Sequence, residues 1–327
     1  MSTSKAGSAS SRTAKPTVFI DGEAGTTGLQ IRQRLAAIED VAVLSIAPDR
    51  RKDEEERLAL MEKADVVVLC LPDEAAREAA SLLASLGDNG PKVIDASSAH
   101  RVADGWVYGF PEMDAQQADA IRTARLVSNP GCYPTGAIAL LRPLVEAGIL
   151  PKDHPVSVNA VSGYSGGGRK MIEAYEAGTA PLFEAYGLGL EHKHVPELQR
   201  YSMLERTPIF VPSVGNFRQG MLVSVPLHLD TLSGRPTKRD LEAVLRHHFS
   251  GAALVKVIDT EGTDGRLDAL ALNGTDMLEL RVLCNERRNQ AVLVARLDNL
   301  GKGAAGAAVQ NIGLMLGIET GAPTKAA

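Results

Sequence analysis

The chain has 327 residues, a formal net charge of −5 and only three cysteines, Cys70, Cys132 and Cys284. That length holds two domains with sizeable cores; the acidic balance without a basic face argues against nucleic acid, and no apolar run approaches the ~20 residues that span a membrane. Three scattered cysteines build no disulfide framework and fit a reducing cytoplasmic compartment, and without a C-x-x-C or H-E-x-x-H pattern no metal site is expected.

Residues 1–15 are rich in Ser, Thr, Ala, Lys and Arg with no apolar core, which predicts a disordered leader. The absence of acids there leaves organellar import open. Thr17-Val18-Phe19-Ile20-Asp21 predicts a strand, Gly22 to Gly28 a glycine-rich turn, and Leu29 to Leu35 a helix. Strand, turn and helix in this order are the context of a dinucleotide fingerprint. Gly22 permits the tight turn, Gly25 lets backbone approach a pyrophosphate, and Gly28 lets the helix pack on the strand. Thr26 and Thr27 open the helix, whose N-terminus receives phosphate charge.

Val41 to Ile46 predicts the second strand. An enzyme selective for NAD places an acid near its end; here Ser45 occupies that place, followed by Asp49-Arg50-Arg51-Lys52. Ser45 and Arg50 suit the 2′-phosphate of NADP, although a solvated charged loop reads the same. Ala64 to Leu71 predicts a buried parallel strand, Pro72-Asp73-Glu74 starts a helix that runs through Ala75 to Leu86, and Lys92 to Asp95 predicts the next strand. Ala96 to Arg101 then lies at the carboxyl edge, where ligands collect. Arg101 suits a phosphate or carboxylate; by spacing alone it is equally a surface arginine.

Ala124-Arg125-Leu126-Val127-Ser128 predicts a short strand and Ala137 to Val145 a helix, with Asn129-Pro130-Gly131-Cys132-Tyr133-Pro134-Thr135-Gly136 between them. Pro134 fits the first helical turn. Cys132 is then expected at a helix N-terminus, where free amides and the dipole lower a thiol pKa and can hold an oxyanion. After Pro151 the texture changes: six predicted strands between Val156 and Leu297 are interrupted by one helix, Leu241 to Phe249, which predicts a mixed or antiparallel sheet. Ser162-Gly163-Tyr164-Ser165-Gly166-Gly167-Gly168-Arg169-Lys170 reads either as a loop positioning an anionic substrate through Ser162, Gly163 and Arg169, or as a flexible turn. Glu191-His192-Lys193-His194-Val195-Pro196-Glu197 supplies imidazoles able to move protons near neutral pH, with Glu197 placed to orient one of them. A small-residue turn, Asn299 to Gly306, leads into a last apolar helix.

In the stretches Gly22–Gly28, Asn129–Gly136, Ser162–Arg169, His192–Glu197 and Asn299–Asn311 the chain resembles the N-acetyl-gamma-glutamyl-phosphate reductase family, in length its short form. The resemblance implies an α/β fold: a Rossmann dinucleotide-binding domain (residues 16–132 and 300–327) plus an α+β domain like that of glyceraldehyde-3-phosphate dehydrogenase (residues 133–299). It also implies NADP as cofactor, an acyl-phosphate substrate and a homodimer or homotetramer. Cys132 is expected as the nucleophile, with His194 or His192 as the proton carrier. Many longer members carry Pro-His and Met-x-Arg-Gly after the His pair; here residues 212–220 read Pro-Ser-Val-Gly-Asn-Phe-Arg-Gln-Gly. Two alternatives stay open: an aspartate-semialdehyde dehydrogenase, and a non-catalytic NADP sensor.

Overall fold

A computed structural model describes residues 14–51, 53–261 and 264–321. The expected leader falls almost wholly outside the described residues, as do Lys52 and the last six positions. The first half alternates strand and helix: β1 Thr17–Asp21, α1 Thr26–Leu35, β2 Ala42–Leu44, α2 Glu54–Lys63, β3 Val66–Leu69, α3 Asp73–Ser85, β4 Lys92–Asp95, β5 Val107–Tyr108, α4 Gln117–Thr123 and β6 Leu126–Ser128. These strands form one parallel sheet in the order β2-β1-β3-β4-β6-β5. Every residue of β3 is buried, as expected of an apolar strand covered on both faces.

The second half contains α5 Cys132–Glu146, β7 Ser157–Gly163, α6 Gly168–Glu176, β8 Phe183–Ala185, α7 Val195–Tyr201, β9 Ile209–Gly215, β10 Met221–His228, α8 Lys238–His248, β11 Val255–Val257, β12 Leu278–Asn285, β13 Gln290–Leu297 and α9 Gly306–Leu316. Its seven-stranded sheet runs β11-β12-β13-β10-β7-β9-β8. The sheet is mixed: β7 and β9 run parallel, as do β11 and β12, and the other pairs are antiparallel. Along β10 every second side chain is buried, the period of a strand with one face on a core. That core is shared with α5 and α8. Gly136 on α5 sits where a Cβ would lie 3.0 Å from Val223 and 3.1 Å from Ala295, so the helix approaches β10 and β13 closely. Thr237 and Asp240 close a reciprocal capping box at the start of α8, a device that stabilises a helix start by about 1 kcal/mol. Helix α9 returns to the first sheet, where Val309, Ile312 and Met315 join the core of Val18, Ile20 and Val66.

Two readings of the sequence change here. The charged stretch after β2 is no open loop: Pro48–Arg50 make a 3₁₀ turn, and Asp53, whose side chain accepts the Glu56 N–H, caps α2. The acidic run 53–56 thus starts a helix, where the dipole favours it. Nor are residues 162–170 a flexible loop. Gly163 ends β7, residues Tyr164–Gly167 form a 3₁₀ turn, and Gly168 begins α6. The unusual 212–220 segment backs this turn: Gly163, Tyr164 and Ser165 donate their amides to the carbonyls of Gly220, Phe217 and Arg218.

Candidate functional site

At the glycine-rich turn, Gly22 has a φ of +87°, and a Cβ there would lie 2.3 Å from the Cys70 carbonyl oxygen. A Cβ on Gly28 would lie 2.6 Å from the Gly22 carbonyl. Both positions exclude side chains for steric reasons. Gly25 is less constrained, its nearest neighbour lying 3.4 Å from a built Cβ, and it serves as the N-cap of α1. No side chain caps that helix and its first turn holds no acid, so its amides are free for an anion.

Beyond β2, Ser45 accepts a 2.7 Å hydrogen bond from Arg32. Arg32 also pairs with buried Glu23, which Arg51 approaches at 3.3 Å. Arg50, singled out by the sequence, instead faces α2, pairing with Asp53 at 2.6 Å and Glu56 at 2.7 Å. The acids that cap α2 hold it there. The cation that reaches Ser45 is therefore Arg32, with Arg51 joined to it through Glu23, and a helix residue such as Arg32 gives no local signal of that role.

Cys132 is the first residue of α5, with Gly131 as N-cap and Pro134 in the first turn. Its side chain borders a cavity of about 300 Å³, whose walls include Thr27 of the dinucleotide turn, Arg101, His192, Lys193, His194 and Gly303. Larger hollows lie on the outer face of the second sheet (about 530 Å³) and between α5 and α8 (about 1100 Å³), without a cysteine.

Glu197 is buried and holds the site's frame. One carboxylate oxygen accepts from Arg101 at 2.6 Å; the other accepts from the Tyr108 hydroxyl at 2.7 Å and the Gly131 amide at 3.0 Å. Arg101 also donates to the Asn129 carbonyl at 3.1 Å. A Cβ on Gly131 would meet Glu197, Arg101 and His194 at 2.6, 2.7 and 2.8 Å, so glycine is what lets the three converge. The expectation that Glu197 orients a histidine is corrected: its nearest oxygen is 4.0 Å from His194 Nε2, too far for a hydrogen bond. The guanidinium, the phenol and the helix-start amide satisfy the carboxylate instead.

His194 is buried, and its Nδ1 has no partner among the described residues. Its amide donates to His192 Nδ1 at 3.2 Å, and the two rings lie edge-on 4.7 Å apart. Burial pushes His192 down to about 4 and His194 well below its ordinary value, with Arg101 and Lys193 adding repulsion. Both imidazoles are neutral near pH 7. Burial pushes the Cys132 thiol up to about 11, although Arg101 and the helix-start amides pull the other way. The sequence expectation of a lowered thiol pKa is thus corrected, because loss of water around sulfur outweighs the helix terminus. The resting pair is thiol and neutral imidazole.

The four expected substrate contacts divide. Arg101 borders the cavity. Ser162 and Gly163 do not: the Ser162 hydroxyl donates to the Gly163 carbonyl, and Gly163 packs on the backbone of Arg218 and Gln219. The neighbouring Ser165, Gly166 and Gly167 take that position. Arg169 donates to the Ala24 carbonyl at 2.9 Å, bridging α6 to the dinucleotide turn. The sequence missed Tyr108, Lys193 and Tyr186. Only Lys193, between the two histidines, carried a local signal.

A family model described as "Semialdehyde dehydrogenase, NAD binding domain" matches residues 49–121, and one described as "Semialdehyde dehydrogenase, dimerisation domain" matches residues 132–299. Curated proteins named N-acetyl-gamma-glutamyl-phosphate reductase from Brucella ovis and Brucella canis are each 54% identical over 310 residues, 93% of this chain and 99% of theirs. Among solved structures, aspartate semialdehyde dehydrogenase II of Vibrio cholerae superposes with a TM-score of 0.70 at 17% identity, covering 93% of this chain and 99% of its own. The aspartate semialdehyde dehydrogenase of Candida albicans, solved with NADP, gives 0.61 at 14%, covering 92% and 98%. At such identities these structures speak to fold alone. With the Rossmann sheet, the mixed second sheet and the relatives matched over nearly their whole length, the chain belongs to the semialdehyde dehydrogenase family and, within it, to the N-acetyl-gamma-glutamyl-phosphate reductases.

Proposed function

We propose that this chain catalyses the NADPH-dependent reduction of N-acetyl-γ-glutamyl phosphate to N-acetylglutamate semialdehyde, releasing phosphate, as a step of arginine biosynthesis in the cytoplasm. The observation that carries the reading is Cys132 at the start of α5, in one cavity with His194, Arg101 and Thr27 of the dinucleotide turn. The dinucleotide fits the residues present. Gly22 and Gly28 leave the space a Cβ would fill, the α1 amides face the turn, and Arg32, Arg51 and Ser45 supply donors for a 2′-phosphate. Bound there, NADPH supplies the hydride.

The chain's own residues do the rest. Cys132 sulfur attacks the acyl carbon while neutral His194 takes the thiol proton, and the C–O bond to phosphate breaks. The imidazolium gives that proton to the departing phosphate, leaving a thioester on Cys132. A thioester accepts hydride far more readily than a carboxylate does. Two-electron reduction leaves a tetrahedral alkoxide on sulfur, held by the helix-start amides and the Arg101 charge. Its collapse expels the aldehyde and a thiolate, which regains a proton from solvent through the same imidazole. The His194 amide fixes the His192 ring, which packs edge-on against the His194 ring. The depressed histidine pKa values keep both imidazoles neutral, and so open to a proton, near pH 7.

A homodimer is inferred through the outer face of the second sheet, where Val292 is exposed and the Arg281 Nη1 is buried without a partner among the described residues. The matched dimerisation-domain family supports that assembly. The test is phosphate-dependent NADP⁺ reduction with N-acetylglutamate semialdehyde, run beside aspartate semialdehyde. Preference for the latter would replace this reading with the reaction named for the structural neighbours.

A further inference from the structure

Lys302 is 1% exposed, yet it is a lysine. Its ammonium donates to both oxygens of Glu112, at 2.8 and 2.7 Å, and to Gln310 Oε1 at 2.6 Å. Gln310 in turn donates to Glu112 at 2.8 Å, and the Phe110 ring centroid lies 5.4 Å from the ammonium. Burying such a pair is costly, and apolar residues of similar volume usually serve stability as well or better. Stability alone therefore does not account for it, and nothing in the chemistry above uses it.

Its place in the fold supplies a reason. Lys302 lies in a π turn, Gly301–Ala305, a wide backbone form that concentrates at functional sites. The turn is one wall of the thiol cavity: Leu300, Gly303 and Ala304 border it, and a Cβ on Gly303 would lie 2.9 Å from Cys132 Cβ. Asn129 holds the turn from the other side, donating to the Ala304 carbonyl at 3.0 Å. Glu112 and Tyr108 belong to the same short segment. Tyr108 reaches Glu197, which fixes the Gly131 amide, while Glu112 reaches Lys302, which fixes the turn packed on Cys132. One five-residue segment thus braces the nucleophile from two sides.

We infer that Lys302, Glu112 and Gln310 are positioning residues for the Cys132 thiol, fixing the π turn against it so that sulfur addresses the acyl carbon. The inference rests on Cys132 being the nucleophile. The test compares Lys302→Met, Gln310→Leu and the double replacement Lys302→Met with Glu112→Leu. Each is read by melting temperature, by kcat and KM for NADP⁺ and aldehyde, and by the rate of Cys132 alkylation with iodoacetamide at pH 9, followed by mass spectrometry. Lys302→Met alone strands a buried carboxylate and lowers both melting temperature and kcat. The double variant removes both charges and regains its melting temperature. Its kcat stays about 10- to 100-fold down, the scale of a misplaced reacting group, with KM for NADP⁺ unchanged and an altered alkylation rate. A double variant with wild-type kcat and alkylation rate overturns the inference and leaves the pair a packing feature. Gln310→Leu keeps the ion pair and carries the test if the other variants do not fold; wild-type kcat and alkylation in it overturn the inference as well. The alkylation arm needs no substrate, so it reads the brace even if the proposed substrate proves wrong.

Discussion

The dinucleotide turn and the thiol cavity are built in opposite ways. The turn is local: β1, Gly22 to Gly28 and α1 are contiguous, and their constraints are backbone constraints that glycine meets by lacking a Cβ. The cavity draws on the whole chain. Gly131 is fixed by Glu197, 66 residues away, and the wall beside Cys132 is pinned by Glu112 reaching 190 residues to Lys302. The turn binds through amides that hold their charge pattern at any pH. The cavity relies on a thiol and two imidazoles that burial has made neutral. Anion binding can therefore be coded by a short stretch, whereas a tuned thiol needs a folded surround.

The sharpest way to break this contrast is Cys132→Ser. It lowers turnover by about 10⁴-fold or more while NADPH binding, measured by titration calorimetry, is unchanged; comparable turnover would remove the cavity's chemical role. Glu197→Gln comes next. It leaves the Arg101 cation buried against a neutral amide, and breaking a buried pair this way costs about 3–5 kcal/mol, read in denaturant melts. A loss below about 1 kcal/mol would mean that Arg101 finds other partners.

The pH dependence of alkylation follows. With the thiol pushed up to about 11, the thiolate is scarce at neutral pH and grows about tenfold per pH unit, so alkylation of Cys132 in the ligand-free enzyme rises about 100-fold from pH 7 to pH 9. A plateau near pH 7 would show that helix amides and Arg101 outweigh burial after all. The smallest effects separate the arginines near Ser45. Arg32→Gln raises the NADPH KM about tenfold or more, the scale of one charged hydrogen bond, whereas Arg50→Gln changes it by less than about twofold because its partners are the α2 acids. The reverse ranking would return the 2′-phosphate to Arg50.

How far the sequence was legible follows the same divide. The first sheet and its turn were readable because hydrophobic runs, glycines and helix starts act over a few residues. The expectation placed Cys132 at a helix start for that reason, and the structure has it there. What failed was what depends on distant partners. Arg50 looked like a phosphate ligand until Asp53 and Glu56 claimed it. Glu197 looked like a histidine's partner because it is three residues from His194, while its real partners come from residues 101, 108 and 131. The direction of the thiol pKa failed because no spacing rule reports how much water the fold removes from a sulfur atom.

Helix α9 has a consequence for how the chain matures. It supplies Ala308, Val309, Ile312 and Met315 to a core made mainly by residues 18 to 127, so the N-terminal sheet lacks part of its filling until α9 itself has been synthesised. A ribosome-bound chain stopped near residue 300 would have Val18, Ile20 and Val66 without their covering helix. The nascent first sheet therefore waits for α9 to emerge before it closes, and chaperones that bind bare aliphatic surface have that interval in which to act.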